Sequence, residues 1–277
     1  MKTPLFSIVL VNYNHGQYLE EAIKSVLLQS CSDFEFIIVD GGSNDNSLDI
    51  IKKYEDKLAY WISEKDNGQS DAFNKGFRRA KGEFYFWLNA DDVLLPHSIK
   101  YSKDAIRKNK TYRWFVGNTI FINEDGIIQK CARGLPWNSY LIKNGQIYVY
   151  GPTAIFHRNL FEQLGGFDER LFYTMDTDLW MRLVNMGYKF KRINKYIWTF
   201  RIHNDSKTSH ALIDRPSEKF QQEQDLIARE NKLPITRGGV FKQTVFKILA
   251  GTYMLSLIDT IKLKGKSYLN FYTETEI

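Results

Sequence analysis

Between residues 6 and 92, short apolar runs alternate with segments whose apolar residues recur at helical spacing. Phe6 to Val11 is a near-continuous apolar run of the kind a strand buried on both faces shows. Leu19, Ala22, Ile23, Val26 and Leu27 then mark one face of a helix. Phe34 to Val39 repeats the strand pattern, Gly41-Gly42 breaks it, and Leu48, Ile51 and Tyr54 form the next helical stripe. The unit recurs with Ala59 to Ile62 before a helix carrying Ala72, Phe73, Phe77 and Ala80, and with Phe84 to Leu88 before Asn89-Ala90-Asp91-Asp92. This alternation predicts an α/β fold, a Rossmann-like, mostly parallel mixed sheet flanked by helices.

The polar clusters fall where strands end: Asn12-Tyr13-Asn14, Asp40 to Ser43, and Asn89 to Asp92. In open α/β sheets ligands bind outside the carboxyl ends of the strands, so the first half, to about residue 112, reads as a nucleotide site. Beyond it the pattern changes to a hairpin with Asn123-Glu124-Asp125-Gly126 as its turn, then mixed elements to about residue 202. After Pro216 comes a polar helix from Glu218 to Asn231, the breaker Pro234, and a segment rich in Lys, Phe, Leu and Ile. We therefore expect one domain over residues 1–210, in two halves that meet near residue 112, and a helical extension over 211–277.

Composition narrows the setting. With 43% hydrophobic and 15% aromatic residues the 277-residue chain is built to fold around a sizeable core. A net charge of +6 admits phosphorylated ligands, anionic membrane surfaces and nucleic acid. The lysines of the first 200 residues are scattered rather than striped with aromatics, which argues against nucleic acid. Cys31 and Cys131 have no metal-ligand spacing and suit reduced thiols. The N-terminus lacks a signal-peptide pattern and no apolar stretch reaches the length of a membrane span, so a cytoplasmic protein is expected.

Asp91-Asp92 at a strand end crowds two like charges, which a divalent cation would relieve, although a solvated turn or helix cap also uses such a pair. Carboxylate oxygens with a diphosphate are how Mg²⁺ or Mn²⁺ is usually held. Asp40 suits either a helix cap or a hydrogen bond to a nucleoside, with the glycines after it allowing close backbone approach. Asp71, in Gln69-Ser70-Asp71-Ala72, also fits ordinary first-turn chemistry.

Taken in order, Ser7 to Asn14, Tyr18-Leu19, Ser25-Val26, Val39 to Asp45, Gln69 to Gly76, Gly82 to Asp92, Gly165 to Glu169, Asp176 to Leu183, Arg201 to His203 and Ser206 to Thr208 resemble the inverting glycosyltransferases of family 2, with the GT-A fold. The resemblance spans roughly residues 5 to 210, and it implies a donor half over about 1–112 and an acceptor half over about 113–210. It implies transfer of a sugar from a nucleotide-diphosphate sugar to a hydroxyl of a saccharide or lipid-linked acceptor, as in surface polysaccharide or glycolipid synthesis. It implies donor contacts from Val11, Tyr13, Asn14, Asp40, Asp71 and Asp91. Asp92 and His203 would be the metal ligands, for Mn²⁺ or Mg²⁺. Gly151, Pro152, Thr153 and Trp180 would lie on the acceptor side, with Trp137 nearby. Asp176 matches the catalytic base. One carboxylate on the face opposite the leaving diphosphate suffices for inversion, because the metal rather than a general acid stabilises the departing charge. Asp178 reads as a structural acid. The chain departs from the family pattern at Gly41, Asn89 and Met175, where family members often carry acids.

The segment Val240 to Leu249 combines aliphatics, aromatics and lysines, and Lys262, Lys264 and Lys266 follow. It suits an interfacial helix on an anionic cytoplasmic leaflet, or a helix packed on the core or on another subunit, as in a homo-oligomer. A dehydrogenase is excluded because Asn12-Tyr13-Asn14-His15-Gly16 stands where G-x-G-x-x-G would. A nucleotide-sugar pyrophosphorylase would need a Gly-rich phosphate loop with a basic residue near the first strand, and this chain has none there. The remaining alternative is a glycosyltransferase-like protein that binds without turnover.

Overall fold

Alternate side chains of the first strand, β1 (Phe6–Asn12), enter two separate cores. Val9 and Val11 join one, while Phe6, Ile8 and Leu10 join the other, so the sheet is the middle layer of three. The computed structural model describes residues 3–143, 148–204, 206, 218–232 and 239–273. After β1 come α1 (Gly16–Leu27), β2 (Phe34–Asp40), α2 (Ser47–Lys53), β3 (Tyr60–Ser63), α3 (Gln69–Arg79), β4 (Phe84–Asn89), β5 (Val93–Leu94) and α4 (Ser98–Lys108). The alternation expected of the first half holds: each of the first four strands ends one residue beyond its apolar run, the third also begins one residue later, and β5 and α4 are additions.

The second half contains the hairpin β6 (Trp114–Ile122) and β7 (Ile128–Ala132), then α5 (Ser139–Lys143), a 3-10 turn at Gly151–Thr153, β8 (Ala154–His157), α6 (Arg158–Gln163), α7 (Met175–Asn185) and β9 (Phe190–Arg201). Asn123 Oδ1 accepts the Ile127 amide at 2.7 Å and Gly126 takes φ 75°, which makes the turn that was expected. The tail supplies α8 (Glu218–Glu230), α9 (Gly239–Leu249), α10 (Thr252–Leu263) and α11 (Asn270–Thr273). The expected boundary near residue 210, and Lys207, Thr208, Pro216 and Pro234, lie outside the described residues.

Among the described residues the sheet runs β3-β2-β1-β4-β8-β6-β9-β5, with β7 beside β6. The first four strands in that order are parallel, and β8 is antiparallel to both β4 and β6. Leu19, Ala22, Ile23 and Val26 of α1 cover one face, and Ala72, Phe73 and Phe77 of α3 cover the other beside α7. Gly76 lets α3 lie close on β1, since a Cβ there would strike Val9.

Candidate active site

Register sets the rim. Asn12 pairs with Asp40, Val11 with Asn89, and Asp40 with Ser63, so the carboxyl ends of β1 to β4 present these residues side by side. Asp40 is fully buried. Its carboxylate accepts the Ser43 hydroxyl at 2.6 Å, Ser63 hydroxyl at 2.6 Å, Asn12 amide at 2.7 Å and the Ser43 backbone N–H at 2.9 Å. Burial alone would raise its pKa, but the hydrogen bonds from Ser43, Ser63 and Asn12 outweigh it and hold the carboxyl below its usual range. Asp40, expected at the nucleoside, spends its carboxylate on shaping the loop from Gly41 to Ser43.

Asn14 takes the left-handed φ of 54° and ties the first loop to the second. Its backbone N–H donates to Ser43 Oγ at 2.8 Å and its side-chain oxygen accepts the Asn44 amide at 2.8 Å. Val11 is buried, whereas Tyr13 is 56% exposed at the rim. A Cβ on Gly41 would lie 3.3 Å from the Tyr13 ring and would run into Asp66 Oδ2. The carboxylate of Asp66 thus stands where a side chain at 41 would reach. Periodicity carried no signal for Asp66, because it sits in the irregular link between β3 and α3. Asp71, expected at the donor, is buried and turned to its own helix: it accepts the Asn67 amide at 3.0 Å and pairs with Lys75 at 3.3 Å.

The two acids after β4 point in different directions. Asp92, the expected metal ligand, is 1% exposed. Its oxygens accept the Arg201 backbone N–H at 3.0 Å and the Asn89 amide at 3.1 Å, and Asn89 Oδ1 in turn accepts Gln69 at 2.7 Å. Burial, followed by the charge of Asp91, pushes the Asp92 carboxyl well above its ordinary range. Asp91 is the acid that meets His203, with 3.0 Å between Oδ2 and Nε2. His15, Asp91 and His203 offer ligand atoms within 4.8 Å of one another. Among the described residues, Nδ1 of His15 and Nδ1 of His203 are buried without a hydrogen-bond partner. Orphaned imidazole nitrogens beside a carboxylate fit a divalent cation, and a set with two imidazoles suits Mn²⁺ better than Mg²⁺. The sequence reading missed His15, whose position after Asn14 opens α1. Arg201, buried beneath this cluster, donates Nε to the Asp91 carbonyl at 2.8 Å and pairs with Glu21.

Asp176 lies in the first turn of α7, and burial pushes its carboxyl up to about 6 against the opposing hydrogen bonds from Thr177. A Cβ on Gly151 would lie 2.9 Å from Asp176 Oδ2 and 3.0 Å from the Trp87 ring, so the Gly151–Thr153 turn abuts the Asp176 carboxylate. Both ends of the site hang on the start of α3. Gln69 reaches Asn89, and the hydroxyl of Ser70 reaches Met175 Sδ at 3.2 Å, next to Asp176. Asp178 pairs with Arg182 at 2.7 Å, the structural role expected of it. Trp180, expected to face an acceptor, is 0% exposed and stacks on Trp114 at 5.0 Å between centroids. No ring face is left open for a sugar. Trp137 lines a cavity of about 830 Å³ with Tyr188 and Asn231, at the far end of α7.

A mixed, mostly parallel sheet of this kind, flanked by helices, is the GT-A fold shared with the similar solved structures given below. The model for Glycosyl transferase family 2 matches residues 7–165, and the chain belongs to that family and is a glycosyltransferase. It is 31% identical over 286 residues to an uncharacterized glycosyltransferase of Rickettsia prowazekii, covering 98% of this chain and 83% of that one. Among solved structures it is similar to residues 1–349 of S. aureus TarS in complex with UDP-GlcNAc (TM-score 0.64, 20% identity, 96% of this chain and 77% of that one). It is also similar to the mannosyltransferase PcManGT of Pyrobaculum calidifontis in complex with GDP-Man and Mn²⁺ (TM-score 0.57, 16% identity, 99% and 79%). The chain spans 64% of the same TarS fragment solved with UDP. Among the described residues no helix is long and apolar enough to cross a membrane.

Proposed function

We propose that this chain is an inverting, metal-dependent transferase that moves a sugar from a nucleoside-diphosphate sugar to a hydroxyl of a saccharide or lipid-linked acceptor, in surface polysaccharide or glycolipid synthesis. One observation carries the reading: Asp176, its carboxyl pushed up to about 6, is held against the Gly151 turn by the same helix start that braces the Asn89–Asp92 turn. A base of that pKa is ionised at neutral pH yet still strong enough to take the acceptor's proton as the hydroxyl attacks.

Asp91, His203 and His15 are the residues that would hold the cation, in place of Asp92. A divalent ion there would offset the charge gathering on the leaving diphosphate. Tyr13 offers an open ring for the nucleobase, and Asp66 offers an acceptor for a ring N–H of uracil or guanine. Bound UDP-GlcNAc and GDP-Man in the similar structures support a donor of this class. Gly151, Pro152 and Thr153 form the acceptor-side wall, and their small size leaves room for the attacking hydroxyl beside Asp176.

The test is nucleoside-diphosphate release across UDP-, GDP- and dTDP-sugars, with and without Mn²⁺, in the native chain and in Asp176→Asn. The reading expects metal-dependent release from one nucleotide class that falls by about 100-fold or more in the variant. Release indifferent to Asp176, or none with any donor, refutes it.

A further inference from the structure

Helix α10 is turned inside out. Its polar side faces the sheet: Ser256 Oγ accepts the Arg133 amide at 2.9 Å and Thr260 Oγ1 accepts the Cys131 amide at 2.9 Å. Asp259 receives Arg133 Nε at 2.6 Å and the Tyr196 hydroxyl at 2.5 Å. Those groups satisfy donors on and just beyond β7, an edge strand whose amides would otherwise need water. The opposite side carries Tyr253, Met254, Leu257, Ile258 and Ile261, all exposed, Ile261 by 73%. Their spacing puts them on one stripe of the helix. A helix packed on a soluble core normally shows the reverse arrangement. Helix α9, packed against α10, extends the surface with exposed Val245, Ile248 and Leu249.

Apart from one buried acid, the charges that the segment forming these helices carries have one sign. From residue 239 to 273 the chain carries Lys242, Lys247, Lys262, Lys264 and Lys266 against the single acid Asp259. That acid is buried and paired with Arg133. Lys262, Lys264 and Lys266 are exposed beside the apolar stripe. We propose that α9 and α10 together seat on an anionic lipid surface, lying in its plane, with the apolar stripe in the acyl boundary and the lysines among the headgroups. A second copy of the chain on this face would bring two lysine clusters together, so the charge pattern favours lipid over self-association. The inference stands apart from the transfer reaction, since none of these residues touches the catalytic rim.

The experiment is co-sedimentation of the full chain with vesicles of phosphatidylcholine, with and without phosphatidylglycerol, at low and high salt. The native chain is expected to pellet with the anionic vesicles and to be released by salt. Lys262→Glu/Lys264→Glu/Lys266→Glu is expected to lower partitioning by roughly a hundredfold or more at low salt. Leu257→Glu/Ile261→Glu is expected to abolish it at either salt. Because these side chains are exposed, the thermal midpoint and nucleotide release in vesicle-free buffer should match the native chain in both variants, which keeps a folding defect and a failed enzyme reading distinguishable. Native protein that stays in the supernatant, binding that survives Leu257→Glu/Ile261→Glu, or a solution dimer that this variant separates would each overturn the proposal.

Discussion

Glu223, in the C-terminal helix α8, clamps Thr174, the residue immediately before the helix that carries Asp176. Glu223 Oε2 accepts the Thr174 backbone N–H at 3.1 Å and its hydroxyl at 2.9 Å, and the same carboxylate accepts the amides of Phe172 and Tyr173, each at 2.8 Å. The acid is buried, at 5% exposure. Three successive amides at a helix start are an anion site, which the chain fills with its own side chain. The tail is thereby coupled to the helix that carries Asp176 from 49 residues away in sequence.

That coupling predicts the effect of Glu223→Ala. Several buried donors lose their acceptor, at about 1–3 kcal/mol each when left unmet, so the variant should melt earlier. Where it still folds, kcat should fall at least tenfold with donor KM little changed, because the base is displaced while the rim at Asp40 and Asp91 is not. Glu223→Gln keeps one acceptor oxygen and should fall between the two. Steady-state kinetics with the donor varied separates this outcome from a general loss of active protein.

Asp176 should set the acid limb of the pH profile. Its carboxyl is pushed up to about 6, so kcat/KM should rise with pH through that value and level off above it. The sign for stability is opposite. Folding raises this pKa from about 4, so the native state disfavours the charged form, and stability is lost as pH rises from about 4 through 6. Asp176→Asn removes that penalty. It should stabilise the chain by about 1–3 kcal/mol at pH 7 to 8 and by almost nothing at pH 4, measured by denaturant unfolding at the two pH values.

Gly151→Ala tests the wall beside the base. The added methyl would lie 2.9 Å from Asp176 Oδ2 and 3.0 Å from Trp87, closer than carbon atoms normally pack. Transfer to an acceptor should drop by tenfold or more, whereas slow hydrolysis of the donor, which needs only water at Asp176, should drop less. Equal loss of both would place the glycine elsewhere in the mechanism.

Much of the donor half was legible in the sequence because β1, β2 and β4 are buried on both faces and read as apolar runs, and because α1 and α3 carry clean stripes. The second half was less so. β9 mixes Lys, Arg and Asn, most of them half-buried, into a strand with no clean alternation, and β8 has only four residues. Side-chain direction was the other limit. Adjacent acids look alike in a sequence, yet the turn after β4 sends Asp92 inward to Asn89 and the Arg201 amide and leaves Asp91 beside His203. Asp40 was placed at the rim by register, but its inward hydrogen bonds depend on Ser43 and Ser63, which no periodicity picks out. Trp180 followed the same course: its helical position was evident, and its burial among Trp87, Trp114 and Phe156 depends on strands far away in the chain.

The central claim is that Asp91, His203 and His15 gather around a cation at the sheet rim while Asp92 does not. Titration of Mn²⁺ in the presence of a nucleoside diphosphate, followed through the free-ion signal in electron paramagnetic resonance, tests it directly. The account predicts tight Mn²⁺ uptake by the native chain, at least tenfold weaker uptake in Asp91→Ala and in His203→Ala, and near-native uptake in folded Asp92→Asn. Uptake that survives Asp91→Ala and is lost in folded Asp92→Asn would contradict it.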